Sequence, residues 1–324
     1  MHISGTFITV TLFLFLSALL PALPTLGRTQ ESASVPDPPL QTQAIQIVKA
    51  PWSALSLSGT KLGTTLRVNV RLGPAAEVAE LEPWTGLLQI AACGPPPEQA
   101  AMLSTSLSIK GLLRNSRYSE GLWFDQAGSA YKRLRYNQEP GKYWLKEYCW
   151  KKNGVHRSKL APAAEEEKLH KPGAWQEQTS SWYALPERPA QCTSLSDPAL
   201  LIVLASAMAQ EPQERSLSLC TFGRRQLFQL EMTRETGEAQ AVSYRILQDS
   251  GPAQERSGRI KPLVYRITAQ QVQTDDMTEA FSLMGLEEDI RIFVDPATYL
   301  PIRLSGTARM AGKVELDLAE ARIN

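Results

Sequence analysis

The sequence predicts a mostly β protein, a curved antiparallel sheet or partial barrel carrying one or two short helices. Three observations lead there. Apolar and polar residues alternate in many short runs, the period of half-buried strands. Gly, Pro, Asn and Asp break those runs at short intervals. The chain also lacks both the strand–helix–strand rhythm of a doubly wound sheet and any long-period repeat. With 324 residues, 43% hydrophobic and 21% charged, it can bury a sizeable core and hold two subdomains, with a possible break near 160–195.

The first segment, "MHISGTFITVTLFLFLSALLPALPTLG", reads as a signal peptide over residues 1–27: an uncharged apolar run from Phe7 to Leu20, then Pro21 and small residues. An uncleaved anchor is the alternative, although the run is shorter than the roughly 20 residues that span a bilayer comfortably. Residues 28–50 are rich in Pro, Ser, Gln and Thr and make a flexible linker. Residues 51–324 are then a β-rich domain expected in the periplasm. It opens with "SALSLSGTKLGTTLRVNVRLG", where Leu55 and Leu57 alternate, Gly59 to Gly63 turn, and Leu66, Val68 and Val70 alternate again. Strand-like runs follow at "STSLSIKGLL", "GLWFDQAG", "YKRLRYN", "GKYWLKEYCWKK", "SLCTFGRRQLFQLEM", "AVSYRIL" and "PLVYRITA".

Two helices interrupt them. "SDPALLIVLASAMAQ" has Asp197 as N-cap, Pro198 at the first helical position and apolar residues on nearly every side, so a buried helix is expected. "DDMTEAFSLMG" places Met277, Phe281 and Met284 at i, i+4, i+7 and predicts a second, one-sided helix ended by Gly285. At the C-terminus Ile290, Ile292 and Val294 share a face, "DPATYLP" turns the chain, Ile302 and Leu304 begin a return strand, and Val314, Leu316 and Leu318 line the last one. Arg291, Arg303, Glu315 and Asp317 suit a solvated face with cross-strand charge pairing, and Asp295 suits the turn.

Export gives the four cysteines a compartment where disulfides persist. Cys192 with Cys220 would staple the ends of a helical segment, leaving Cys93 with Cys149; free buried thiols are the alternative. No cysteines stand at C-x-x-C spacing and the chain has only three histidines, so neither a metal site nor a cofactor is expected. G-x-S-x-G, H-E-x-x-H, P-loop and G-x-G-x-x-G are all missing, so no catalytic residue is assigned. His156 and His170 read as loop histidines, and the acidic runs "AEEEK" and "LEEDI" as solvated faces. A net charge of +1 recruits no nucleic acid.

Tyr131 to Lys159 is the most distinctive stretch, with nine Lys or Arg, two Glu and six aromatics. As a strand, its even positions put Trp144, Lys146, Tyr148 and Trp150 on one face, a strip suited to a phosphate-bearing headgroup or an anionic glycan. The competing reading is a hairpin whose aromatics face a core while lysines guard an edge. Trp175 and Trp182, just before the buried helix, either line a ligand mouth or plug a core opening.

The Asp197–Pro198 helix start, "LCTFGRRQLFQLEM", and "IRIFVDPATYLPIRLSG" running into "GKVELDLAEARI" resemble the bacterial exported-protein family catalogued as domain of unknown function 3108. The matching positions are Asp197, Pro198, Asp295, Pro296, Leu300, Pro301 and Gly312. The resemblance spans residues 52–323 and implies a Gram-negative envelope location and a β-rich fold, with no reaction assigned. A non-enzymatic protein binding an apolar or amphipathic envelope component, such as a lipid, on the concave sheet face is therefore expected. An interaction module gripping an envelope protein partner through the basic aromatic hairpin is second, and an envelope hydrolase third.

Overall fold

The computed structural model describes residues 50–323 apart from 62, 82, 89–92, 112–114, 187–191, 193, 212, 214, 273–278 and 310. The expected signal peptide and nearly all of the linker lie outside the described residues. Hairpin β1 (Trp52–Lys61) and β2 (Thr64–Pro74) turns between Lys61 and Thr64. Two short helices follow, α1 (Ala75–Ala79) and α2 (Trp84–Leu87). A six-strand antiparallel meander comes next: β3 (Ala101–Lys110), β4 (Asn115–Phe124), β5 (Ala130–Glu139), β6 (Lys142–Lys151), β7 (Gly154–Ala161) and β8 (Glu177–Ala184).

The short strand β9 (Leu195–Ser196) leads through the 3-10 turn Pro198–Leu200 into helix α3 (Leu201–Gln210). The rest is β10 (Ser216–Phe222), β11 (Leu227–Thr236), β12 (Gln240–Leu247), β13 (Gln254–Ile260), β14 (Leu263–Gln271), β15 (Glu288–Val294), β16 (Pro301–Ala308) and β17 (Gly312–Ile323). The first arm runs from β1 to β8. The second pairs β1 with β17 and continues through β16, β15, β14, β11 and β10 to β9, which is parallel to β10. Hairpin β12–β13 joins through a short parallel pairing of β12 with the end of β17. No described ladder joins β8 to β9 or β10, so the curved sheet stays open.

Alternation sorts the strands into a face that meets α3 and a back face. Leu55, Leu57, Val68, Val70, Leu304, Leu316 and Leu318 all pack in one cluster with α3, which is buried from Leu201 to Ala209. Such a helix needs no polar side because the sheet wraps it. Its one buried hydroxyl, Ser206, accepts from Trp52 Nε1 at 2.9 Å, which satisfies two polar groups that would otherwise be costly to bury. At Gly59 a Cβ would lie 2.2 Å from the Glu315 carbonyl oxygen, so only glycine allows β1 to approach β17 there.

The first arm has a second core on its back face, where Trp84, Met102, Trp123, Leu134, Leu145 and Trp175 cluster beneath α1 and α2. Neither of these helices is legible in the sequence, since five and four residues are too few for a period to show. Lys132 and Glu147 are buried there as a pair at 3.4 Å, and Glu147 also accepts the Cys93 amide at 3.0 Å. Disulfides join Cys93 to Cys149 and Cys192 to Cys220, with Cα–Cα distances of 5.8 and 5.2 Å. Residues 42–324 form one compact unit, in which β8 pairs with β7 and β9 with β10.

The second expected helix is corrected. Residues 273–278, with Met277, lie outside the described residues, but Phe281 and Leu283 alternate inward as extended chain. Leu283 and Leu286 exchange both backbone hydrogen bonds at 2.9 Å around Met284 (φ 51°) and Gly285 (φ 89°). Two consecutive left-handed residues make a tight hairpin turn, and glycine at the second favours it over a helical C-cap. Asp295 does turn the chain, accepting from the Ala297 amide at 2.9 Å, and it also accepts from the Tyr244 hydroxyl (2.7 Å) and Arg256 Nη2 (3.2 Å), which pins β12–β13.

The C-terminal strands form a closing meander, with Arg303 set between Asp317 (2.5 Å) and Glu315 (3.5 Å) on the outside. Leu316→Asp places a carboxylate in the dry cluster around α3 and forfeits the leucine's burial, together about 4 kcal/mol or more. That is a large share of the roughly 5–15 kcal/mol by which a typical domain is stable. Circular dichroism should show no cooperative melt for this variant, and a soluble protein melting near the parent's temperature would refute the assignment of that face to the core.

Candidate functional site

The helix face changes character along the first arm. On β1 to β3 it is leucine and valine, but pairing register carries it onto Glu120, Arg135, Lys146 and Lys159 in one row and onto Arg133, Tyr148 and Arg157 in the next. Aromatics separate the cations. The Arg133 guanidinium lies 4.2 Å from the Tyr148 ring centroid, Lys146 Nζ lies 4.2 Å from Trp144, and Arg157 lies 5.3 Å from Tyr183. The four strip residues expected from β6, namely Trp144, Lys146, Tyr148 and Trp150, therefore do share a face, and Tyr148 is fully buried in it.

Arg133 and Asp197 form its anchor. Both are buried, with Nη1 2.5 Å from the Asp197 carboxylate, while Nη2 donates to the Gly223 carbonyl at 2.7 Å. Asp197 also caps the helix start through the Ala199 amide at 2.9 Å. Burial pushes its carboxyl up to about 6, against the lowering pull of Arg133. Arg135 pairs with Glu120 at 3.1 Å and donates to the Tyr118 hydroxyl, which in turn donates to Glu120 at 2.8 Å.

Between this network, the start of α3 and the turn at Met284 lies a cavity of about 210 Å³. Leu107, Pro198, Ala199 and Met284 form its apolar walls, and Arg133, Arg135 and Arg224 balance Glu120, Asp197 and Glu279 in its lining. Thr105 also lines it, 5% exposed, with a hydroxyl that has no hydrogen-bond partner among the described residues, and the buried Arg133 Nε is likewise unpartnered. Buried polar atoms of that kind cost roughly 1–3 kcal/mol each unless something binds them. A larger cavity, 440 Å³, lies on the back face beside α2 and is lined by Ser106, Arg117, Tyr136 and Lys171. None of its described lining residues has a buried unpartnered polar atom, so the smaller cavity is the better built site.

Trp175 and Trp182 do not join the strip. Trp175 is buried on the back face, donates to the Glu167 carbonyl at 2.9 Å and packs with Tyr136, so it plugs a core. Trp182 faces outward, 53% exposed, with its ring over Gly154. Even positions on β8 fall on the back face, a register that only the pairing with β7 reveals. His156 lies 2.7 Å from the Ser180 hydroxyl on this same face. Neither residue lines one of the cavities described, and no carboxylate meets the imidazole among the described contacts. Among the described residues, the one grouping of metal-ligating types is Cys93, Glu147 and Cys149, and its sulfurs are joined in a disulfide. The residues that sequence reasoning missed are Thr105, Glu120 and Arg133, whose signal was their alternation with apolar neighbours in adjacent strands.

Lys146 is held down at about 8, first by burial and then by Arg135, Arg157, Lys159 and Arg224. A depressed amine penalises the fold while charged, so stability rises as pH climbs from about 8 to 10.5. Lys146→Met should therefore be more stable than the parent at pH 7, with the gain fading above pH 8 in denaturant titrations. Arg133→Met should lose about 3 kcal/mol at neutral pH because Asp197 stays buried without its partner. That deficit should shrink as pH falls toward about 6, as Asp197 takes up a proton earlier in the variant than in the parent.

No helix among the described residues is long and apolar enough to cross a membrane. Two disulfides mark an oxidising compartment. No family model matches the chain, and no curated protein matches it. Among solved structures the chain is similar to a β-barrel-like protein of a domain of unknown function, DUF1849, from Brucella abortus, with 8% identity, 84% of this chain and 96% of that chain covered, and a TM-score of 0.40.

Proposed function

We propose that the protein is a non-enzymatic periplasmic binder of an amphipathic cell-envelope molecule, which seats an apolar end in the cavity beside the start of α3. The carrying observation is the cavity itself: apolar walls next to a buried, unpartnered Thr105 hydroxyl and a paired set of charges. Its 210 Å³ is less than the roughly 300–1,000 Å³ of pockets that enclose a whole drug-sized ligand, so it suits one end of a longer molecule whose remainder lies along the strip. The disulfides fit an exported chain, and membership of the exported family 3108, with its envelope location, belongs to the same proposal.

Titration calorimetry with 1-octanol tests this. Binding with a negative heat-capacity change is expected, since apolar surface leaves water. Ala280→Trp, placed at the exposed rim of the cavity, should weaken it at least tenfold without lowering thermal stability. Octanol that does not bind, or binds equally well to the filled variant, would sink the reading.

A further inference from the structure

We infer that the basic strip on β5 to β7 is a phosphate site, so that the amphiphile proposed above carries a phosphate ester at its polar end. The inference rests on that reading for the cavity but on different residues for the headgroup.

Arg135, Lys146 and Lys159 stand directly opposite one another across three neighbouring strands. Adjacent strands lie about 4.8 Å apart, and like charges at that spacing destabilise a sheet. The acids present do not cancel the row. Glu120 serves Arg135 and Glu177 lies 3.5 Å from Lys159, but among the described residues no carboxylate pairs with Lys146 or Arg157. Arg157 donates from Nη2 to Ser181 at 2.9 Å while its buried Nε has no partner. Arg224, 57% exposed and 3.9 Å from Glu279, adds charge from the loop at the cavity rim.

The groups facing Lys146 are thus Arg135 from β5, Arg157 and Lys159 from β7 and Arg224 from the loop, all cationic. Burial first and these cations second depress its amine to about 8, and an anion bound there would favour its charged form. A phosphate matches the strip better than a carboxylate. It brings close to two charges and three acceptor oxygens, enough to meet Lys146, Arg157 and Lys159 at once, where a carboxylate offers two oxygens in one plane. Arg135 belongs to both the cavity lining and the cationic row, so an apolar end in the cavity and a phosphate on the row are reachable by one molecule.

The experiment compares octyl phosphate, 1-octanol and inorganic phosphate by calorimetry on the full mature chain. Octyl phosphate should bind at least tenfold tighter than octanol, and the preference should fall with added salt. It should also fall as pH rises through about 8, starting from about pH 7.5 where the ligand is already dianionic. Lys146→Gln and Arg157→Gln should each erase the preference, leave octanol binding intact and not lower the thermal melt, which Lys146→Gln should raise at neutral pH. Octanol binding with no preference for octyl phosphate overturns the phosphate site and leaves the cavity reading standing. Inorganic phosphate binding that depends on Lys146, with no added affinity from the octyl chain, keeps the phosphate site and overturns the amphiphile. Failure of all three probes overturns both.

Discussion

The buried ion pair between Arg133 and Asp197 is the interaction on which the arrangement depends. An open sheet of this length has two free ends, and no strand pairing among the described residues unites them. Arg133 reaches from the middle of the first arm to two elements beyond it, the helix start through Asp197 and the end of β10 through the Gly223 carbonyl. Beside it Tyr148, Val155, Leu195 and Phe222 belong to a small apolar cluster, with the Tyr148 ring against the Arg133 guanidinium. Closure is thus made by side chains where a barrel would use a ladder. A buried pair of this kind contributes little net stability compared with apolar residues of the same shape, yet losing one partner is costly. It therefore acts chiefly to specify where the helix sits.

That placement leaves a cavity at the helix start. Asp197 is committed to the cap and to Arg133, so the local charges are matched, and the unmatched ones lie further along β6 and β7. Strands β5 and β6 can tolerate them because Leu134 and Leu145 put their apolar side on the other face, in the cluster beneath α1 and α2. On the proposed reading, binding would fall on one face of these strands and packing on the other. Residues such as Lys146, which weaken the fold while charged, would then fit the general pattern in which a binding site is less than optimal for stability.

Much of this was legible in the sequence because strand alternation is local. Leu55 to Val70, the run around Lys146 and the C-terminal meander follow a period of two, and their faces could be assigned from spacing alone. The cap at Asp197 is equally local, since Asp-Pro before an apolar run has one favoured conformation. The segment around Phe281 misled because its apolar spacing also fits a helix. Its Met284–Gly285 turn is decided by the two backbone hydrogen bonds between Leu283 and Leu286 and by packing of Phe281 and Leu283 into the core. Trp175 and Trp182 stayed open between two roles for another reason: a tryptophan's role depends on which face it takes.

By itself the sequence determined the strands, the buried helix with its cap, and the cysteines available for pairing, because each depends on side-chain period or backbone preference within a few residues. Only the tertiary structure decided which face of the first arm became a core, that Arg133 would meet Asp197, and that Lys146 would be left among cations. Those outcomes depend on the register and curvature of strands that are remote in the chain. Contacts of that kind leave no local pattern, since a buried arginine in an alternating run reads the same as a solvated one until its partner is placed.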